Sequence, residues 1–204
     1  AEGEFVQQAT GKSQYGHVVL EVSQLKRGSG YLFNSDIDEE LIPEEFIPAI
    51  QKGIEGCKDG GPLLGFPVID VQVTLTGGSY HEEDSTEQAF GVAAAIAFRK
   101  AAEKAKPVLL EPLMDVEIIL PEQYLGDVIG DLNSRRAKIN GMDSRDNGFQ
   151  VITAQVALAE MFGYSTDLRS ITQGRANFTM QFANYGIVPE NMAQKIIKKV
   201  KGII

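Results

Sequence analysis

With 204 residues, 43% of them hydrophobic and 23% charged, the chain can bury a core in one or two domains. A single cysteine, Cys57, excludes an internal disulfide and a cysteine-based metal cluster, which suits a reducing cytoplasm. A net charge of −9 opposes non-specific nucleic-acid binding, because such binding relies on neutralising phosphates. The charge is uneven. Residues 1–108 hold 9 Lys and Arg against 17 Asp and Glu (−8), residues 109–188 hold 6 against 10 (−4), and residues 189–204 hold 4 against 1 (+3). No apolar run is long enough to cross a bilayer, and Ala1-Glu2-Gly3-Glu4 lacks the basic start of a signal peptide.

In chain order, Phe5–Ala9, Tyr15–Leu25 and Tyr31–Ile37 are predicted strands, separated by loops at Gly11-Lys12-Ser13 and Lys26-Arg27-Gly28-Ser29-Gly30. Pro43-Glu44-Glu45 opens a helix to about Lys58, with acidic residues suited to its first turn. Phe66–Leu75 is a predicted strand leading into the loop Gly77-Gly78-Ser79-Tyr80-His81. Asp84 with Glu87 has the form of a capping box for a long, alanine-rich helix whose inner stripe is Phe90, Ala94, Ala97, Phe98 and Ala101.

A break is expected near Lys106-Pro107. Beyond it Leu113–Leu120 alternates as a strand, and Pro121 precedes a helix with Leu125, Val128, Ile129 and Leu132 on one face, ending near Arg135-Arg136. A short strand at Ala137–Asn140, a loop at Asp143–Gly148, and a strand at Phe149–Ala157 follow. A helix from Leu158 to about Ser170, interrupted at Gly163, and a strand at Arg175–Phe182 complete the unit. The order β-α-β-β-α-β is the ferredoxin-like pattern. The fold class expected is therefore α+β, and the last stretch, Pro189 to about Lys201, is an amphipathic helix with a basic outer face.

Motifs for enzyme chemistry are weak. Gly11-Lys12-Ser13 lacks the P-loop glycine five positions earlier, where Val6 stands, and it lies between two strands. His81-Glu82-Glu83-Asp84 reads as the acidic start of a helix, since consecutive ligands diverge and His17 is the only other histidine. No catalytic residue and no metal site is expected. Two loops carry more information: Thr10–His17, including Lys12, Ser13, Gln14, Tyr15 and Gly16, and Gly77–His81, including Ser79, Tyr80 and His81. Their permissive backbone, amide, aromatic and cationic groups suit stacking and 2′-hydroxyl contact in a shallow RNA groove. Ordinary surface turns would have the same composition.

Ser13-Gln14-Tyr15-Gly16-His17-Val18, Ile42-Pro43-Glu44-Glu45-Phe46-Ile47-Pro48-Ala49, Gly65-Phe66-Pro67-Val68 and Gly78-Ser79-Tyr80-His81 with Asp84-Ser85 resemble the fourth domain of elongation factor G. Tyr124-Leu125-Gly126-Asp127-Val128-Ile129-Gly130-Asp131-Leu132-Asn133 and Met161-Phe162-Gly163-Tyr164-Ser165-Thr166-Asp167-Leu168-Arg169-Ser170 resemble its fifth. The resemblance implies domain IV over 1–108, with a β-α-β fold like the second domain of a small-subunit ribosomal protein. It implies ferredoxin-like domain V over 109–188, and a terminal helix, 189–204, that returns to domain IV. It further implies a cytoplasmic, monomeric part of a translational GTPase whose GTP, magnesium and GTP-binding domain lie outside these residues, so that no cofactor and no catalysis are expected here. The implied activity is translocation of tRNA and mRNA on the ribosome; a paralogue specialised for ribosome recycling or protection is the alternative. The expected partners are the small-subunit decoding region and its tRNA–mRNA duplex, at Lys12, Ser13, Gln14, Tyr15, Gly16, Ser79, Tyr80 and His81, and large-subunit rRNA, at Arg169, Ser170 and Gln173. The chain departs from the family's usual pattern at Ala9, Thr10 and Lys12, where arginine or additional glycines are common, and at Gln88 and Gly91, where bulkier or charged residues are common.

Overall fold

The structure, a computed structural model, describes residues 1–9, 12–38, 40–61, 64–200 and 202, with the side chains of Ala9 and Lys12 left out. It divides into two compact units, Ala1–Pro107 together with Gln194–Ile204, and Val108–Ala193.

The first unit contains β1 (Glu2–Ala9), β2 (Lys12–Gln24), β3 (Tyr31–Ser35), α1 (Ile47–Gly60), β4 (Val71–Ser79) and α2 (Glu87–Lys104). Its sheet has the order β1-β2-β4-β3, antiparallel except for the β3–β4 pair. Parallel strands need a long crossover, and α1 supplies it. Alternation along the strands sends Val18, Leu20, Val73 and Leu75 to one face, where they pack with Ile50, Ile54, Phe90 and Phe98. Each large side chain buried there contributes about 1.5–3 kcal/mol. α2 spans β1 and β2 through alanines that are wholly buried (Ala89, Ala93, Ala94, Ala97), so helix and sheet backbones lie close. α1 and α2 cross at Gly53, where a β-carbon would sit 2.2 Å from the Gly91 carbonyl oxygen. The unusual glycine at 91 thus stands at the helix crossing.

In this unit the two ends of β4 and the cap of α2 differ most from expectation. The strand predicted from Phe66 begins only at Val71, because Asp70 adopts φ +57° and turns its buried carboxylate to accept the Gly30 N–H at 2.9 Å. It also runs on past Leu75 to Ser79, since Gly77, Gly78 and Ser79 pair with Val19, Val18 and His17. The cap of α2 is Thr86, not Asp84. The Thr86 hydroxyl accepts from the Ala89 N–H at 3.1 Å, whereas Asp84 lies in the turn after His81 and Ser85 bridges to Tyr15 of β2, with the Tyr15 N–H donating to the Asp84 carbonyl at 2.8 Å.

The second unit runs β5 (Leu110–Pro121), α3 (Leu125–Ser134), β6 (Lys138–Arg145), β7 (Phe149–Ala157), α4 (Tyr164–Ile171) and β8 (Asn177–Ile187). The sheet order β6-β7-β5-β8, antiparallel throughout, is the ferredoxin-like arrangement. Val116, Ile118, Leu120, Ile152 and Val156 face Val128, Leu132, Tyr164 and Leu168 of the two helices. The predicted loop at Asp143 shrinks to the single turn Asp146–Gly148, because β6 stays paired to β7 as far as Arg145. Gly163, at φ +78°, separates the short 3-10 turn Leu158–Met161 from α4; a side chain there would be strained. The final helix, α5 (Glu190–Val200), follows β8.

Candidate nucleic-acid interface

The first expected loop is largely strand. β1 ends at Ala9 and β2 starts at Lys12, while Thr10 and Gly11 lie outside the described residues, as does the Lys12 side chain. Ser13, Gln14, Tyr15 and Gly16 pair with Gln8, Gln7, Val6 and Phe5. The expectation of a loop here gives way because the hairpin pairing continues to the end of both strands. Strand alternation then divides the residues between two faces. Gln14 and Gly16 share the helix-covered face with Val18. The Gln14 side-chain oxygen is buried without a hydrogen-bond partner among the described residues. Gly16 lies against the start of α2, where a β-carbon would come within 2.6–2.8 Å of Ala89 and Phe90 backbone atoms.

The opposite face carries Tyr15 and His17, and here the end of β4 meets them. The Ser79 hydroxyl shares hydrogen bonds with the Tyr15 hydroxyl at 2.6 Å and with His17 Nδ1 at 3.0 Å. Glu2 Oε2 stands 3.8 Å from His17 Nε2. The His81 ring sits edge-on to Tyr15 with centroids 4.1 Å apart, and the His81 N–H donates to the Ser85 hydroxyl at 3.0 Å. His81 and Ser13 are exposed; Gln14, Tyr15 and Ser79 are half-buried, and Gly16 is buried. Tyr80 turns the other way, packing on Phe46 at 5.6 Å as part of the core boundary. Six of the eight expected residues therefore converge at one end of the sheet, with Tyr80 serving the core and Lys12 placed by its backbone alone. Sequence reasoning missed Ser85 and Glu2. The serine four residues after His81 matches a side-chain-to-backbone turn, and that local pattern could have found it; the Glu2 contact depends on strand register.

In the second unit, Arg169 and Ser170 occupy the last turn of α4, and Gln173 follows at φ +52°. All three are exposed and make no side-chain hydrogen bond or ion pair among the described residues. The backbone beneath them is fixed. The wholly buried Thr172 hydroxyl donates to the Leu168 carbonyl at 2.7 Å and accepts the Ala176 N–H at 3.3 Å, and the Gly174 N–H donates to the Arg169 carbonyl at 2.8 Å. The neighbouring Arg135 and Arg136 are committed elsewhere. Arg135 bridges Asp131 and Asp167 and lies over the Tyr164 ring at 5.0 Å. Arg136 pairs with Glu111 and Glu160. Burial alone lowers the Arg135 pKa, but its two carboxylate partners outweigh that and leave it raised. For Arg136, the hydrogen bond to Glu111 is the main cause of the upward shift.

Among the described residues no group of three or more histidine, cysteine, aspartate or glutamate side chains could hold a metal, and no helix is long and apolar enough to cross a membrane. A concavity of about 900 Å³ lies between α1 and α2, with Ala49, Gly53, Val92 and Ile96 in its lining beside Arg99 and Lys100.

Comparison with known proteins adds the deciding observation. Residues 1–106 match the family model described as elongation factor G, domain IV, and residues 108–196 match that for the elongation factor G C-terminus. This chain belongs to the elongation factor G family. It is 56% identical over 203 residues to Elongation factor G 2 of Desulfotalea psychrophila (strain LSv54 / DSM 12343), covering 100% of this chain and 29% of that protein. A crystal structure from Thermus thermophilus superposes with a TM-score of 0.88 at 37% identity, over 99% of this chain and 30% of the other. The chain thus spans under a third of the length of these relatives. Within the family, the Tyr15–Ser79–His81 cluster belongs to the part matched as domain IV, and the Arg169–Gln173 turn to the part matched as the C-terminus.

Proposed function

We propose that this chain is the ribosome-contacting part of an elongation factor that drives translocation of tRNA and mRNA. The end of the first sheet would enter the decoding region, and the Arg169–Gln173 turn would meet large-subunit rRNA. The observation that carries the reading is His81, exposed and set edge-on against a Tyr15 ring that Ser79 holds by its hydroxyl. An exposed imidazole with a fixed aromatic beside it can contact a base pair's sugar edge without reordering a loop. Ser13 adds an exposed hydroxyl on the same strand end. No proton transfer or bond cleavage is asked of these residues. Their work is positional: a stiff strand end held against the codon–anticodon pair while the ribosome moves. GTP and magnesium would act in a separate domain of the intact factor.

The test uses the intact factor in a stopped-flow translocation assay. His81→Ala and Gln14→Ala are expected to slow translocation while leaving GTP hydrolysis close to the unaltered rate. Gln14 acts more weakly, since its side chain is half-buried on the helix-covered face. Unchanged translocation in both variants would remove these residues from the site.

A further inference from the structure

The tip and the Arg169 turn leave the most concentrated positive charge of the chain unused. Residues 189–204 are net +3, whereas residues 1–108 are −8 and residues 109–188 are −4. Three of the four lysines, Lys195, Lys198 and Lys199, lie on α5 at i, i+3 and i+4, so they form one face. All three are exposed, and none makes an ion pair among the described residues. Met192, Ala193, Ile196 and Ile197 are half-buried, so the apolar side of the helix is already spent against protein.

We propose that the Lys195–Lys198–Lys199 face of α5 docks on the phosphate backbone of RNA. The proposal rests on the ribosome-contacting reading given above and adds a third contact to it. Charge complementarity selects an anionic partner, since the rest of the chain repels one. The half-buried apolar side removes a lipid surface as occupant, because membrane-surface helices insert that side. Protein interfaces deplete lysine and anchor on tyrosine, tryptophan or arginine, and α5 has none of these. Lysine ammonium groups are flexible point charges that meet phosphates without reading bases. A favourable interaction with the helix dipole accounts for Lys198 and Lys199 in the last turn, but not for Lys195 a turn earlier.

The experiment measures binding of the fluorescently labelled 204-residue chain to vacant bacterial ribosomes across a KCl series. The unaltered chain is compared with Lys195→Ala/Lys198→Ala/Lys199→Ala and with the corresponding triple Lys→Arg variant, and circular dichroism verifies the helix content of each. Each phosphate contact contributes roughly 0.7–0.9 to the slope of log affinity against log salt, so the alanine variant should lose about 2–3 from that slope. Its affinity near 0.1 M salt should fall at least about tenfold, while the arginine variant keeps both slope and affinity. A 4-azidophenyl group attached through Lys198→Cys, in a Cys57→Ser background, should form adducts with rRNA. An alanine variant with unchanged slope overturns the proposal, as do adducts confined to ribosomal proteins. An unaltered chain that fails to bind ribosomes overturns the earlier reading as well; binding with an unchanged slope overturns this inference alone.

Discussion

The two candidate contact regions are built on opposite principles. At the end of the first sheet the side chains are themselves held: one serine hydroxyl bonds Tyr15 and His17, the Tyr15 ring meets the His81 ring edge-on, and the Ser85 hydroxyl accepts from the His81 backbone N–H. At the end of α4 the exposed side chains of Arg169, Ser170 and Gln173 make no hydrogen bond or ion pair among the described residues, and order resides in the backbone, through Thr172 beneath them. Fixed side chains suit a surface that must present one shape, at the cost of sensitivity to any change in its supports. Free side chains on a fixed turn suit an anionic surface that is met by charge, where a guanidinium can adjust to several phosphate positions. The nearby Arg135 and Arg136 show the contrast within one unit, since their carboxylate partners make them structural.

If that contrast holds, changes at the first region should cost stability in proportion to their depth, and changes at the second should not. Gly16→Ala should have the largest effect. Its new β-carbon would lie under 3 Å from α2 backbone, which cannot yield as a flexible side chain can, and a loss of about 2–3 kcal/mol or more is expected in urea melts. Ser79→Ala comes next, at about 1 kcal/mol, because it leaves the Tyr15 hydroxyl and His17 without their shared partner. The same variant should move the His81 ring resonances toward averaged, solvent-like positions in NMR spectra; unchanged resonances would mean that Ser79 does not organise the tip. Arg169→Ala should alter stability by less than about 0.5 kcal/mol, as expected for an exposed side chain with no ion pair among the described residues. A larger loss in the same melts would show that the second region is held by its side chains after all.

Much of this was legible in the sequence, and the exceptions are specific. Phe149–Ala157 was read to the residue, and the β-α-β-β-α-β order followed from periodicity, because each element of that unit buries one face against its neighbours. The start of β4 was misplaced because the φ of Asp70 and its bond to Gly30 join residues forty apart, which no local window contains. The α2 cap was misplaced for a similar reason: Asp84 is a good cap by type, but its backbone is engaged by Tyr15 across the sheet.

The sequence by itself determined which residues gather near the candidate contact surfaces, through long motifs that identify the family, and it determined the charge asymmetry between α5 and the rest. Only the tertiary structure decided which of those residues face outward. Strand pairing at Gln7–Gln14 and His17–Ser79 turns Gln14 toward the helices and leaves His81 in the open, and Tyr80 goes to the core. The physical reason is the two-residue repeat of a strand, by which a one-residue change in pairing reverses every side chain. Composition is blind to that register, and the register sets which side of the sheet the helices cover and which side is left open.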